Sequence, residues 1–170
     1  MMLEKIESKI SSLNEALEKI RLWRSKSARI VWTNGVFDLL HPGHIRYLCA
    51  ARAMGDYLVV GINSDASVKR LKGPNRPINP EFNRMLQMAA LEMIDLVVLF
   101  DQDTPLEPIL QLKPDIIAKG GDYREEEVVG GREASGWGGK VVIIPFESGF
   151  SSTGIIDRIK KARHDDQGHI

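Results

Sequence analysis

Residues 31–44 read VWTNGVFDLLHPGH, and the rest of the chain is organised around this stretch. The apolar residues at its beginning predict a strand, which ends in a polar turn that contains Gly35. A helical pattern begins just after His41, where Pro42 suits a first turn that needs no backbone N–H. Unpaired N–H groups and the positive end of the helix dipole meet at such a point. The stretch therefore predicts an anion site that holds His41 and His44.

The composition limits the classes of protein to which the chain can belong. Its 170 residues predict one domain with room for an appendage, and its 23 Lys and Arg balance its 23 Asp and Glu. This balance provides no extended basic surface for nucleic acid. The single cysteine, Cys49, excludes an internal disulfide and is expected on the buried side of its helix. We also expect a cytoplasmic protein with no membrane contact, because neither a signal peptide nor a membrane span is found.

Apolar residues recur along the N-terminal segment at spacings of three and four. They are Leu3, Ile6, Ile10, Leu13, Leu17 and Ile20. This stripe predicts one amphipathic helix, which could pack on its own domain or form a two-helix seam between the subunits of a homodimer. The predicted organisation is an N-terminal helix and linker over 1–28, a main domain over 29–163 and a polar tail over 164–170.

Five apolar runs alternate with helical patterns along the main domain. They lie at 30–32, 56–62, 95–100, 116–118 and 141–145. Continuous apolar strands of this kind are typical of a parallel sheet that is covered on both faces. Ligands of such sheets bind beyond the carboxyl ends of the strands. Polar residues follow these ends at Asn63 and Asp65, at 119–122 and at 151–153.

A basic segment at 69–77 reads KRLKGPNRP, and its Gly and Pro content predicts a loop. We expect this loop to fold over phosphates and to present Lys72 and Arg76 to them. A long helix is predicted over 81–92. Arg84 lies one turn inside it and could face either solvent or the site.

Residues 35–44, GVFDLLHPGH, resemble the G-x-F-D-x-x-H-x-G-H signature of the cytidylyltransferase-like nucleotidyltransferases. The hydroxyls at 151–153 match the second hydroxyl motif of that family. The resemblance runs from about Arg29 to Ala162. It implies an α/β fold with a Rossmann-like open parallel sheet of five strands in the order 3-2-1-4-5, helices on both faces and the N-terminal amphipathic helix as an addition.

Two further stretches, LKGPNRP at 71–77 and IAKGGDY at 117–123, look like the adenylyltransferase part of bacterial ADP-heptose synthases. The implied reaction joins ATP and D-glycero-β-D-manno-heptose 1-phosphate to give ADP-heptose and pyrophosphate, for lipopolysaccharide or other cell-surface polysaccharides. Phe146 stands where the alcohol-phosphate cytidylyltransferases carry an arginine, which weakens a cytidylyltransferase interpretation. Two alternatives stay open, a glycerol-3-phosphate-type cytidylyltransferase and a non-catalytic nucleotide-sensing module. The chain has no room for the sugar-kinase domain that is often fused to this activity, so we expect a stand-alone enzyme or a fragment.

The resemblance also implies roles for individual residues. His41 and His44 would donate hydrogen bonds to the α- and β-phosphates, and Lys72 would bridge the α-phosphate and the incoming phosphate. The nucleotide would contact Thr33, Asn34, Gly35, Phe37, Asp38, Gly43, Lys119, Gly120, Gly121, Asp122, Ser151, Ser152 and Thr153. The sugar phosphate would contact Asn63, Asp65, Arg76 and Arg84. Asp38 is expected to order the loop and His41 rather than to react. Mg²⁺ is expected to be held mainly by the triphosphate and water, because no carboxylate cluster predicts a protein-built metal site.

Overall fold

A computed structural model describes residues 1–121, 123–145 and 151–166, with the side chains of the last helix described to residue 162. The helices are α1 Met2–Glu7, α2 Leu13–Arg24, α3 Pro42–Arg52, α4 Asp65–Lys72, α5 Glu81–Ala89, α6 Leu106–Leu112, α7 Gly131–Ser135 and α8 Ser152–Asp166, with a 3-10 turn at Glu125–Glu127. The strands are β1 Ile10–Ser11, β2 Ile30–Gly35, β3 Tyr57–Asn63, β4 Leu96–Phe100, β5 Ile116–Gly120 and β6 Lys140–Ile144. The predictions for Asp122 and Phe146 lie outside the described residues.

The strands form one parallel sheet in the order β1-β4-β3-β2-β5-β6. The α/β class and the parallel sheet are confirmed, but the prediction of five strands in the order 3-2-1-4-5 is wrong. The sixth strand is β1, which pairs with Val97 and Val98 at the edge of β4. Central strand β2 pairs with β3 on one side and with β5 on the other, so the strand order reverses at β2. Ligands of open α/β sheets bind at such a switch point.

The N-terminal segment is divided, so the prediction of one continuous helix is wrong. A capping box starts α2: the Ser12 hydroxyl accepts a hydrogen bond from the backbone N–H of Glu15, and the Glu15 carboxylate accepts one from the N–H of Ser12. This box starts a new helix immediately after β1. Ala16 and Ile20 of α2 are fully buried against the sheet of their own chain. The stripe therefore packs on its own domain, and this face of α2 is not available for a seam between subunits.

Both faces of the sheet carry an apolar core, as the continuous apolar strands predict. Leu48 of α3 and Met88 of α5 are fully buried on one face, and Ile20 of α2 and Ile109 of α6 on the other. In β3, a Cβ at Gly61 would lie 2.5 Å from the Trp32 ring, so the glycine makes room for the indole. Because helices pack on both faces of the sheet, the strand ends that carry the candidate site residues are held in place.

Several predicted boundaries differ from those of the structure. Helix α4 continues to Lys72 because the stop signal is Gly73, whose φ of 92° ends the helix, so Lys72 is helical and does not lie in a loop. Helix α5 ends at Ala89, three residues before the predicted end at residue 92. Cys49 is exposed, contrary to the prediction. Within the described part of the chain, no helix has the length and apolar character that a bilayer crossing needs.

Candidate active site

A pocket opens at the switch point, beyond the carboxyl ends of β2 and β5. The predicted site residues that line it are Asn34, Gly35, Phe37, Asp38, His44, Lys72, Arg76, Lys119, Gly120 and Ser152. Val36, Tyr47 and Tyr123 complete the lining. The predicted residues outside this lining are Thr33, His41, Gly43, Asn63, Asp65, Arg84, Gly121, Ser151 and Thr153.

The two histidines stack at the start of α3. Their ring centroids are 3.7 Å apart and the rings are inclined by 17°. His41 is the N-cap, and its Nδ1 accepts a hydrogen bond from the backbone N–H of His44 at 3.4 Å, so the neutral ring carries its proton on Nε2. Gly43 lies between the histidines, in the first turn of the helix. The histidine pair is therefore held in place by the helix start itself.

His44 is neutral at physiological pH. Burial, with a further contribution from the neighbouring His41 and Lys72, lowers the pKa of its imidazole to about 4. The Nδ1 atom of His44 is buried and has no hydrogen-bond partner among the described residues. Burial also lowers the pKa of His41. His44 also lines the pocket, and a neutral imidazole can donate one hydrogen bond to a ligand through its ring N–H.

The loop between β2 and α3 is shaped by Phe37. Its φ is 46°, an uncommon value for a bulky residue, and its side chain is buried. A Cβ at Gly35 would lie 2.9 Å from this ring, and the ring meets His44 edge-on with centroids 5.3 Å apart. Gly35 is therefore required by the packing of Phe37, which in turn supports His44.

Asp38 orders the segment after α4. Its buried carboxylate accepts hydrogen bonds from Arg76 Nε at 2.8 Å and from the backbone N–H groups of Ile78 and Asn79 at 2.8 Å each. The Asn79 side chain returns a hydrogen bond to the Asp38 carbonyl at 2.6 Å. The loop-ordering role predicted for Asp38 thus applies to residues 76–79.

The pocket is cationic. Among the described residues, its lining includes the side chains of Lys72, Arg76 and Lys119 and one carboxylate, that of Asp38. Desolvation lowers the pKa of Lys72, and the charge of Arg76 lowers it further. Desolvation also lowers the pKa of Lys119, whose Nζ lies 5.4 Å from the centroid of the Tyr123 ring. Uncompensated cations in a partly desolvated pocket attract anions strongly.

Arg84 lies beneath the site, where it is fully buried. Its Nε donates to the Asn79 carbonyl at 2.9 Å, and Nη1 donates to the Val36 carbonyl at 2.8 Å. Nη2 donates to the Asn63 carbonyl and to the Asp65 carboxylate, both at 2.8 Å. The guanidinium thus joins the motif loop, the end of β3, the start of α4 and the segment before α5. Asn63, Asp65 and Arg84, predicted to bind substrate, are used within the protein.

Thr33 also makes an internal contact. Its hydroxyl lies 2.6 Å from the hydroxyl of Tyr47, which donates to the Ala118 carbonyl at 3.0 Å. Burial raises the pKa of Tyr47 to about 12, so its phenol stays protonated. Tyr47 thereby joins β2, α3 and β5 at the floor of the pocket. The sequence holds a signal for it, because a residue three positions after His44 shares its helix face.

The start of α8 closes another side of the site. Ser152 donates to the Leu39 carbonyl at 3.1 Å, which ties this helix to the motif loop. Ser151 caps the helix, because its hydroxyl accepts a hydrogen bond from the N–H of Gly154 at 2.9 Å. Thr153 is exposed in the first turn, and Gly121 donates its N–H to the Ile144 carbonyl at 3.0 Å. Of the three hydroxyls, Ser152 is the one that lines the pocket.

The family model described as cytidylyltransferase-like matches residues 32–158, which include every residue of the pocket lining. The chain belongs to the cytidylyltransferase-like family. The predicted family is therefore confirmed.

Curated proteins similar to this cytidylyltransferase-like chain include two named bifunctional protein HldE. That of Magnetococcus marinus is 54% identical over 151 residues, which cover 89% of this chain and 31% of that protein. That of Trichlorobacter lovleyi is 52% identical over 161 residues, which cover 95% of this chain and 33% of that protein. The chain thus spans about a third of the length of these relatives. The crystal structure of the lipopolysaccharide core biosynthesis protein from Thermoplasma volcanium GSS1 is similar with a TM-score of 0.59 and 31% identity, over 72% of this chain and 99% of that one.

A protein-built metal cluster is not found among the described residues of this cytidylyltransferase-like chain. They contain no group of three or more carboxylate, histidine or cysteine side chains that could hold a metal ion. The one carboxylate of the pocket lining, Asp38, already binds Arg76. Mg²⁺ retains several waters and binds phosphate oxygens readily, so it fits this pocket as part of a nucleotide complex.

Proposed function

We propose that this chain is an adenylyltransferase that joins ATP and D-glycero-β-D-manno-heptose 1-phosphate to give ADP-heptose and pyrophosphate, for lipopolysaccharide or other surface polysaccharide precursors. The observation that carries the proposal is the pocket itself, in which neutral His44 and three cations, Lys72, Arg76 and Lys119, face one another at a topological switch point. Two substrates that both carry phosphate need such a surplus of positive charge.

In the proposed reaction, an oxygen of the sugar phosphate attacks the α-phosphorus of ATP. A new phosphorus–oxygen bond forms, the bond between the α-phosphorus and the bridging oxygen breaks, and pyrophosphate leaves. This transfer needs alignment and charge stabilisation rather than a covalent nucleophile. His44 donates a hydrogen bond to the α-phosphate, and Lys72 places its charge between the α-phosphate and the incoming phosphate. His41 assists from the helix start through its Nε2 proton.

The choice of heptose phosphate over an alcohol phosphate is supported by the two stretches 71–77 and 117–123. They supply Lys72, Arg76, Lys119 and Tyr123 to the pocket lining. The relatives named HldE, at about half identity, and the relative named for lipopolysaccharide core biosynthesis support the same choice. We propose that Mg²⁺ enters with the triphosphate. Homodimer formation and a cytoplasmic location stay predictions, for light scattering and cell fractionation to test.

The test is a coupled pyrophosphate assay over a matrix of ATP and CTP against heptose 1-phosphate and glycerol 3-phosphate. We expect release with ATP and heptose 1-phosphate, and we expect His44→Ala to abolish it without a change in the circular dichroism spectrum. Arg70→Gln is the matched control, because Arg70 is exposed on α4 and pairs with Asp103 outside the pocket. Activity with CTP and glycerol 3-phosphate alone would favour the cytidylyltransferase alternative. Absence of release with every pair would favour the nucleotide-sensing module, and normal turnover by His44→Ala would refute the mechanism.

A further inference from the structure

Arg76 is held along one edge of its guanidinium. Its Nε donates to Asp38 at 2.8 Å, and its side chain is 17% exposed where it lines the pocket. Among the described residues, the structure records no hydrogen bond from Nη1 or Nη2 of this residue. The edge formed by these two nitrogens is the one that recognises phosphate in a bidentate way. Arg76 therefore has an anion-binding edge to spare.

Asp38 fixes the plane of that guanidinium. The carboxylate is 1% exposed, and it accepts two backbone hydrogen bonds in addition to that of Arg76. A carboxylate bonded on this many sides has little freedom to rotate, so Arg76 is presented in one orientation. By contrast, Arg70 is 45% exposed and binds Asp103, which is itself 54% exposed.

The charge around Arg76 fits a phosphate monoester. Lys72 lies close enough for the charge of Arg76 to lower its pKa, so two cations share the single carboxylate of Asp38. A phosphate monoester carries a charge of about −1.5 to −2 at neutral pH and would pair with both cations. The triphosphate has other donors available, because the starts of α3 and α8 both lie at the site.

We propose that Arg76 binds the phosphate of the sugar 1-phosphate through its Nη1 and Nη2 edge, and that Asp38 is the positioning residue for Arg76. The proposal rests on the proposed function and assigns its acceptor subsite. Arg76 then discriminates between the two substrates, since it recognises the acceptor rather than the nucleotide.

The experiment compares Arg76→Lys and Arg76→Gln with the matched pair Arg70→Lys and Arg70→Gln in the pyrophosphate assay. Loss of a charge-assisted bidentate contact is expected to raise KM for heptose 1-phosphate about 10- to 100-fold in both Arg76 variants, with KM for ATP within about twofold of wild type. In both Arg70 variants, KM for heptose 1-phosphate and KM for ATP are expected to equal those of the wild type. A selective rise in KM for ATP, an equal rise for both substrates, or unchanged constants would overturn the assignment.

A double-mutant cycle tests the role of Asp38. If Asp38 acts through Arg76, Asp38→Asn raises KM for the sugar phosphate in the wild-type background but adds less than about twofold in the Arg76→Gln background. If the fold-increases in KM for the sugar phosphate caused by the two single substitutions multiply in the double variant, the positioning role of Asp38 is overturned. Circular dichroism of each variant identifies any that fail to fold, and Asp38→Glu takes the place of an Asp38→Asn protein that does not.

Failure of the proposed function is distinguishable from failure of this inference. Wild-type protein that releases no pyrophosphate with heptose 1-phosphate contradicts the proposed function. Titration calorimetry of heptose 1-phosphate alone into wild type and Arg76→Gln then tests the inference by itself. Binding that weakens in the variant supports it, and equal binding or no binding to either protein overturns it. Wild-type turnover with no selective effect of Arg76 contradicts the inference alone.

Discussion

Replacement of Arg84 by methionine tests whether the buried guanidinium holds the site together. Arg84 is fully buried and makes four hydrogen bonds, three to backbone carbonyls and one to Asp65. Methionine has a similar length and fills the space, but it leaves the carbonyls without a donor. We expect the variant to fold with a reduced free energy of unfolding.

The size of the loss follows from the four acceptors. Each buried carbonyl that loses a charged donor costs about 1–2 kcal/mol. The Asp65 side chain is 31% exposed and can be rehydrated, so its loss adds less than about 1 kcal/mol. Relief of the desolvation of the guanidinium offsets part of this sum, so we expect a net loss of about 3 kcal/mol. For a chain of this size, that corresponds to a fall in Tm of about 6–12 °C.

Urea unfolding followed by far-UV circular dichroism measures this loss as a shift in the midpoint. Arg70→Met is the control, because Arg70 is 45% exposed on α4, and we expect it to lose less than about 1 kcal/mol. Arg84→Lys should fall between the two, since one ammonium cannot reach four acceptors in separate segments. An Arg84→Met protein that loses less than about 1 kcal/mol, or no more than Arg70→Met, would refute the assignment of a structural role to this network.

The remaining predictions concern pH and packing. The pKa of His44 is about 4 in the folded chain against an ordinary value of 6.5, so its contribution to stability is complete above pH 6.5 and is lost as the pH falls toward 4. We expect His44→Asn to remove that part of the pH dependence when urea midpoints are compared between about pH 7.5 and about pH 4.5. Parallel profiles for the two proteins would contradict the cause. Gly61→Ala should cost about 1–3 kcal/mol by calorimetry, because its Cβ would lie 2.5 Å from the Trp32 ring, and an unchanged Tm would show that the indole can move.

Many of the predicted site residues lie together because the information that places them is local. A strand that turns into a helix at His41 and His44 places both histidines at the carboxyl edge of a parallel sheet, whatever the rest of the chain does. Lys119 and Gly120 at the end of β5 and Ser152 after β6 reach the same edge for the same reason, whereas Asn63 and Asp65 after β3 stay outside the pocket lining. Ten of the predicted site residues consequently line one pocket.

Features that depend on distant contacts could not be predicted in this way. Strand β1 has two residues, and Ile10 fits the helical stripe equally well, so only its pairing with Val97 reveals the sixth strand. Arg84 reads as an ordinary helix position, because the oxygens that surround its guanidinium come from segments that are far apart in sequence. The sequence therefore suggests that Arg84 contacts the substrate, whereas its guanidinium binds oxygens of the protein itself.

The distribution of charge explains how a chain with no net charge can hold a cationic pocket. Two described carboxylates, Asp38 in the pocket lining and Asp65 beneath it, pair with Arg76 and Arg84 respectively. Arg84 and Asp65 carry opposite charges at 2.8 Å, so this pair adds no net charge beside the pocket, whereas Arg76 keeps one edge open toward it. Lys72 and Lys119 then add charge without a salt bridge to any described carboxylate. Balanced composition therefore argues only against an extended basic surface, since a phosphate site depends on where the fold places four or five side chains.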